Sequence, residues 1–288
     1  MSEDKICRLM NSCVHHGPHN NRLYLMKLNS EDYPAIIQEI NRIAKERGYS
    51  KSFAKVPARF KDEFLSDGYI CEGVIQGMFL GSEDGYFLSK YFDYKRKEST
   101  KQVITEEILI NAEQENKREK KERDKAGKIR RSLPPKGFVI RQADYSDSDS
   151  LSGLFSDTFE TYPFPISDSS YIKKTMDEGI VYFGIWKGDN LLAASSSETD
   201  KNSKSVEMTD FATHNDYLGN GFAGILLDKM EEDMRKKGFL TAYTIARAAF
   251  LPVNLLFYRR GYRHAGTLVN NTNICGSFES MNLWCKKL

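Results

Sequence analysis

Between Leu218 and Gly224 the chain reads Leu218-Gly219-Asn220-Gly221-Phe222-Ala223-Gly224, and helical periodicity follows. Three glycines and an alanine let backbone come close to a ligand. Because the turn opens a helix, unpaired N–H groups and the positive end of the dipole converge where a pyrophosphate would sit. No Gly-Lys-Ser/Thr follows and the glycines are out of frame for GxGxxG, which excludes a P-loop and the dinucleotide fingerprint. A tight strand-to-helix turn without a ligand would use the same residues. The preceding strand carries Glu207 and Asp210, placed on opposite strand faces by alternation, and a short helix downstream carries Asn254 and Tyr258. A carboxylate, a phosphate cradle and a tyrosine in this order suit proton transfer on a phosphorylated carrier.

This order resembles the GNAT family of N-acetyltransferases, whose signature is Arg/Gln-x-x-Gly-x-Gly/Ala after the fourth strand. Leu218-x-x-Gly221-x-Ala223 occupies that frame, with Leu218 in place of the family's polar residue. Asn254…Tyr258-Arg-Arg-Gly261-Tyr262 is similar to the second signature, with Asn and Tyr four residues apart instead of seven. Either spacing puts both side chains on one helix face. The resemblance covers about residues 136–288. It implies an α/β (α+β) acyl-CoA N-acyltransferase fold with a mixed twisted sheet, and acetyl-CoA as cosubstrate. Phe211, Ala212, Thr213, the turn from Leu218 through Gly219, Asn220, Gly221, Phe222, Ala223 and Gly224, and Asn254 would hold it.

Acetyl transfer needs a neutral amine. A lysine-like amine has a pKa near 10.4, so about one molecule in 10³ is neutral at pH 7, a handicap of roughly 4–5 kcal/mol. A carboxylate must remove that proton; Glu207 is the first candidate and Asp210 the second, and each is also readable as an ion-paired strand carboxylate. Tyr258 would protonate the leaving thiolate, or pack as an ordinary helix tyrosine beside Phe257. The N–H of Phe211 or Ala212 would polarise the thioester carbonyl.

Three further segments, TYPFPISD, Arg247–Phe250 and the C-terminal NNTNICGSFESMNLWCKKL, resemble the β-lysine N6-acetyltransferases, as do FLSDGYICEGVIQGMF and FLSKYF nearer the N-terminus. The resemblance implies β-lysine as the small-molecule acceptor and the compatible solute N6-acetyl-β-lysine as product. The alternatives are acetyl transfer to another amine, a protein lysine or polyamine, and a non-catalytic module that binds acetyl-CoA or RNA. Asn270, Asn271, Thr272 and Asn273 would supply polar groups for a zwitterion, or simply form a surface turn. Glu279 would pair with the non-reacting ammonium and Arg247 with the carboxylate. Tyr162 and Phe164 would wall the aliphatic chain or pack their loop.

The elements that position these residues follow from pattern. The order expected from Phe138 onward is βααβββαβαββ, a mixed sheet with helices on both faces. Residues 20–96 read as a smaller α/β unit with a helix through Ile36, Ile37, Ile40 and Ile43, ended by Gly48. This unit covers the other domain's site or mediates homodimer formation. No internal repeat is obvious, although this part is compatible with a decayed copy of the βαβ opening. Residues 1–19 read as a polar leader, and 97–135 as a charged helical linker in which Ile104, Ile108 and Ile110 dock the first half.

With 288 residues, a net charge of +2 and a mean hydropathy of −0.54, the chain is expected to be globular and cytoplasmic. No apolar run is long enough for a membrane helix. Five cysteines without a CxxC pair suit a reducing compartment, and no metal site is expected. The run 117–131 has nine basic and three acidic residues but no aromatic residue for base stacking, which argues against nucleic acid.

Overall fold

The computed structural model describes residues 4–98, 106–110, 114, 137–274 and 276–288. Ile104 and the charged run at 117–131 lie outside the described residues. Of the linker isoleucines within them, Ile108 is buried and Ile110 exposed.

The N-terminal elements are β1 (Lys5–Leu9), β2 (Ser12–Gly17), β3 (Arg22–Lys27), α1 (Ala35–Arg47), β4 (Lys51–Pro57), α2 (Lys61–Ser66), β5 (Ile70–Phe79) and β6 (Glu83–Tyr91). Helix α1 buries Ile36, Ile37 and Ile40 and stops at Gly48, whose φ of 66° lets its N–H close on Ala44 and Lys45. The expected leader is instead a hairpin: β1 pairs with β2 from Lys5↔His16 to Leu9↔Ser12, and β2 pairs with β3. Burial explains the difference, since Val14 and His15 are each 1% exposed. The Asp4 carboxylate also accepts from the His19 and Asn20 N–H groups at 2.8 and 2.9 Å.

The C-terminal elements are β7 (Val139–Gln142), α3 (Ser148–Thr158), α4 (Ser169–Asp177), β8 (Val181–Lys187), β9 (Asn190–Asp200), β10 (Ser205–Thr213), α5 (Phe222–Lys236), β11 (Thr241–Arg247), α6 (Leu251–Arg259), β12 (Arg263–Ile274) and β13 (Ser277–Lys287). This is the expected order. Helices α5 and α6 cover one sheet face through Leu226, Leu227, Met230 and Phe257. Helices α3 and α4 cover the other through Leu151, Phe155 and Ile172.

All thirteen strands form one sheet, ordered β1-β2-β3-β4-β6-β5-β12-β13-β11-β10-β9-β8-β7. Apart from β7, the order reads alike from both ends. Strands β1 to β6 with α1 and α2 repeat the connections of β8 to β13 with α5 and α6, including the parallel pairs β3·β4 and β10·β11. The N-terminal unit therefore copies the closing elements of the C-terminal one, not its opening. Its counterpart of the glycine turn, residues 28–34, has no glycine and carries Glu31 and Asp32. The N-terminal unit repeats the sheet without the glycine turn.

The halves meet where β5 and β12 pair at Gly73↔Gly266. A Cβ on Gly266 would lie 2.1 Å from the Glu72 carbonyl oxygen, and one on Gly73 would lie 2.4 Å from Leu283 Cδ1. Only glycine permits this approach. Beside it, buried Lys51 bonds Glu72 at 3.0 Å and the Val269 carbonyl at 2.8 Å. Glu72 in turn accepts the Val269 N–H at 3.1 Å, so a buried ion pair of the first half grips a strand of the second.

Candidate active site

Strands β10 and β11 pair from Ser205↔Thr241 to Glu207↔Tyr243 and then part. Beyond that point β10 stays on β9 as far as Thr213↔Ala193, and β11 stays on β13 as far as Arg247↔Met281. A wedge therefore opens beside Phe211, Ala212 and Thr213, with Glu207 at its apex. The Phe211 ring sits edge-on to Phe257, 5.7 Å away, so α6 backs the wedge.

Past the end of β10 the glycine turn enters α5. Gly219 and Gly221 have φ of 78° and 74°, and a Cβ on either would meet nothing within 4 Å. Leu218, Gly219, Asn220 and Gly221 are exposed in front of the first turn of α5, whose leading N–H groups lack helical partners. Two members of the expected cradle face inward instead. Phe222 is a core residue 2% exposed, and a Cβ on Gly224 would lie 2.3 Å from Arg260 Nη2. Gly224 thus makes room for the Arg260–Asp228 pair, at 2.7 Å.

Asn254 likewise does not face a ligand. It is fully buried: its Nδ2 donates to the carbonyls of Arg247, at 2.9 Å, and Phe250, at 2.8 Å. Its Oδ1 accepts from Asn282 and from the Trp284 indole, both at 2.9 Å. With both ends of the amide engaged, its work is to lock α6 onto β11 and β13. Tyr258, one turn on, lies half-buried, edge-on to Trp284 at 5.9 Å.

Glu207 stands directly opposite Glu198 on β9, so the two carboxylates share one face. The pairing then shifts between Thr209 and Ala212, and Asp210 takes a φ of 55°. This bulge turns Asp210 onto the same face as Glu207, correcting the alternation expected from sequence. There Asp210 accepts from Ser196 Oγ at 2.5 Å and from the Tyr162 hydroxyl. Tyr162 is thereby held against the acids.

Three carboxylates so close cannot all ionise freely. Burial pushes Glu198 up to about 8, and Glu207 and Asp210 push the same way. Burial also raises Glu207, opposed first by Lys55 and then by a hydrogen bond from Tyr243. It raises Asp210 too, against hydrogen bonds from Ser196, Tyr162 and Thr209. Glu198 is pushed furthest of the three toward its protonated form. Asp210 is tied to three hydroxyls, while half-buried Glu207 faces the wedge. Of the three, Glu207 is best placed to take a proton from a ligand there.

Lys55 belongs to β4 of the N-terminal unit. Its ammonium donates to the Tyr243 hydroxyl at 3.0 Å, and Tyr243 donates to Glu207. Tyr24 on β3 also faces this cluster, its hydroxyl held protonated by burial and then by Glu207. Sequence reading missed Glu198, Lys55, Tyr24 and Tyr243, whose meeting depends on strand register across the two halves.

The expected acceptor residues are largely engaged elsewhere. Arg247 and Glu279 bind each other through a two-bond fork, Nε–Oε2 at 2.8 Å and Nη2–Oε1 at 2.9 Å. They do not serve as two separate ligand groups. The asparagine run docks the N-terminal unit: Asn270 donates to the Arg96 and Glu98 carbonyls at 3.0 and 2.8 Å, and Asn273 to the His19 carbonyl at 2.9 Å. Buried Asn271 accepts from Arg22 at its backbone carbonyl, while its side-chain Oδ1 has no hydrogen-bond partner among the described residues. Phe164 packs on His15, with ring centroids 4.9 Å apart. The loop carrying Tyr162 and Phe164 therefore bridges the two halves over the acids.

The profile described as Acetyltransferase (GNAT) family matches residues 149–262. The β-lysine N6-acetyltransferase of Methanococcus maripaludis is 38% identical over 283 residues, 98% of each chain. The chain belongs to the GNAT acetyltransferase family. It is an N-acetyltransferase, and its fold is the mixed-sheet α/β fold of that family. The β-lysine N6-acetyltransferase of Methanosarcina mazei is 29% identical over 89% of this chain and 98% of its own. The N-acetyltransferase YodP of Bacillus subtilis is 28% identical over 95% and 94%. The similarity to the first of these runs through the N-terminal unit that closes the site. No helix among the described residues is long and apolar enough to cross a membrane, and no cluster of metal-binding side chains occurs among them.

Proposed function

We propose that the protein transfers the acetyl group of acetyl-CoA to the N6 amine of β-lysine in the cytoplasm, yielding N6-acetyl-β-lysine, a compatible solute. The observation that carries this reading is full-length similarity, at 38% identity, to a β-lysine N6-acetyltransferase. The buried acids at the wedge support it, because a diamine brings cationic ends to such a site.

The pyrophosphate of acetyl-CoA would lie on the amides at Gly219–Ala223, with the thioester in the wedge beside Phe211 and Ala212. Glu207 takes a proton from the N6 ammonium, and the freed lone pair attacks the thioester carbon. The developing oxyanion is met by a β10 N–H. The C–S bond then breaks, and the thiolate leaves with a proton from Tyr258. The second proton lost by nitrogen passes through water to the Tyr258 phenolate, and Glu207 releases the first to solvent.

Two measurements test this. Initial rates with β-lysine, α-lysine, spermidine and a lysine peptide should give the highest kcat/KM for β-lysine; equal rates with another amine would overturn the acceptor assignment. For the cofactor, Gly221→Val puts a β-branched side chain at φ 74° in the open space before α5, a conformational strain of about 1–2 kcal/mol. The KM for acetyl-CoA should rise about tenfold or more with kcat at saturation nearly kept. An unchanged KM would remove the turn from the cofactor site.

A further inference from the structure

Arg22 is a buried guanidinium, 4% exposed, with no ion-pair partner among the described residues. Its Nη1 bonds the Asn271 carbonyl and, at 3.3 Å, Thr272 Oγ1. Nε is buried without a partner, and no described hydrogen bond comes from Nη2. That Nε–Nη2 edge is the one Arg247 uses for its two bonds to Glu279. Asp4, the carboxylate whose field reaches Arg22, is spent on His19 and Asn20. An unpaired buried cation is costly. An arginine fork without a carboxylate, in a protein that pairs Arg247 and Glu279 so closely, points to a ligand's carboxylate.

The surroundings fit the rest of such a ligand. His15, 1% exposed, has both ring nitrogens unpartnered, and Asn271, 2% exposed, has its Oδ1 unpartnered. Burial and the Arg22 charge hold His15 neutral, with a pKa near 4, so one ring nitrogen accepts hydrogen bonds. Phe164 closes over His15. On the other side the Arg22 guanidinium lies 5.4 Å from the centre of the Tyr24 ring, whose hydroxyl feels Glu207 and Glu198. Tyr24 thus spans from the cation to the acids.

We propose that the N-terminal unit supplies the acceptor's recognition site: the Arg22 fork binds the substrate carboxylate, and Asn271 Oδ1 with His15 receives the adjacent ammonium. The far amine then reaches Glu207. This deepens the β-lysine reading and rests on it. It also assigns the degenerate copy a task, since Arg22 and His15 lie on strands of that copy.

Pentane-1,4-diamine, which is β-lysine without its carboxylate, provides the test. The wild-type enzyme should prefer β-lysine by ~10²-fold or more in kcat/KM, because the analogue leaves the fork unpaired. Arg22→Met should lower kcat/KM for β-lysine by about that factor, mainly through KM. Its rate on the diamine should stay within about threefold of wild type, which also shows that the site is folded. Arg22→Lys, keeping charge without the fork, should fall between the two. A wild-type enzyme that does not distinguish the compounds would overturn the proposal whatever the variants do. So would Arg22 variants that lose both activities equally. Failure to acetylate β-lysine at all, with turnover of another amine, would instead refute the acceptor assignment itself.

Discussion

Glu207→Gln lowers kcat by about 10²–10⁴-fold, the range a positioned general base supplies. The KM for acetyl-CoA should barely change, because the exposed glycine turn lies at the far end of β10 from the apex of the wedge. Glutamine keeps the shape and can still accept from Tyr243, so the loss reports the missing base and not a collapsed site. Steady-state kinetics at several pH values checks this. The wild-type rate should climb as Glu207 ionises, and the variant should lose that limb. Asp210→Asn should behave differently, disturbing Ser196 and the Tyr162 loop as well as the charge balance. If Glu207→Gln keeps more than about a tenth of wild-type kcat, another group is the base.

Lys55→Met has the second large effect, from a residue outside the family match at 149–262. Burial raises Glu207 and Lys55 is the first influence holding it down. Glu198, Asp210 and Tyr243 face Glu207 as well, and Lys27 adds a weaker positive field at Glu198. Without Lys55 the carboxyl keeps its proton to higher pH. A base works only when ionised, so the sign is clear: activity is lost at neutral pH and recovered as pH rises. The rising limb of kcat/KM should move up by ~1–3 pH units, the range for losing a close opposite charge. At pH values below the wild-type limb this means a loss of roughly 10–10³-fold. The limb belongs to the coupled acids together, not to Glu207 alone. Lys55→Arg should restore most of the profile. A uniform loss at every pH would mean that Lys55 only packs against Tyr243.

The order of the C-terminal elements was legible because its glycines and periodicities are local signals. Gly48 ends α1, and the Leu218–Gly224 turn opens α5, as local chemistry requires. What failed were facts of register and contact. Alternation put Asp210 on the wrong face, because a bulge adds a residue that no residue type announces. Arg247 and Glu279 are 32 positions apart and read as two free charges, yet the fold joins them. Asn254 carried a signature position, but its neighbours Asn282 and Trp284 use its amide for packing. The N-terminal half was least legible. RLYLMKL is an ordinary alternating strand until the two halves of the sheet meet and Arg22 is found buried with half its fork unbonded. Its kinship with the C-terminal half appears only in strand order.

A crystal structure with CoA and β-lysine bound together tests most directly the claim that both halves build one acceptor site. The N6 nitrogen should lie within hydrogen-bond reach of Glu207 at the apex of the wedge, with the carboxylate on the Nε–Nη2 edge of Arg22. A ligand bound wholly by the C-terminal half, with its carboxylate on Arg247 or in solvent, would contradict it.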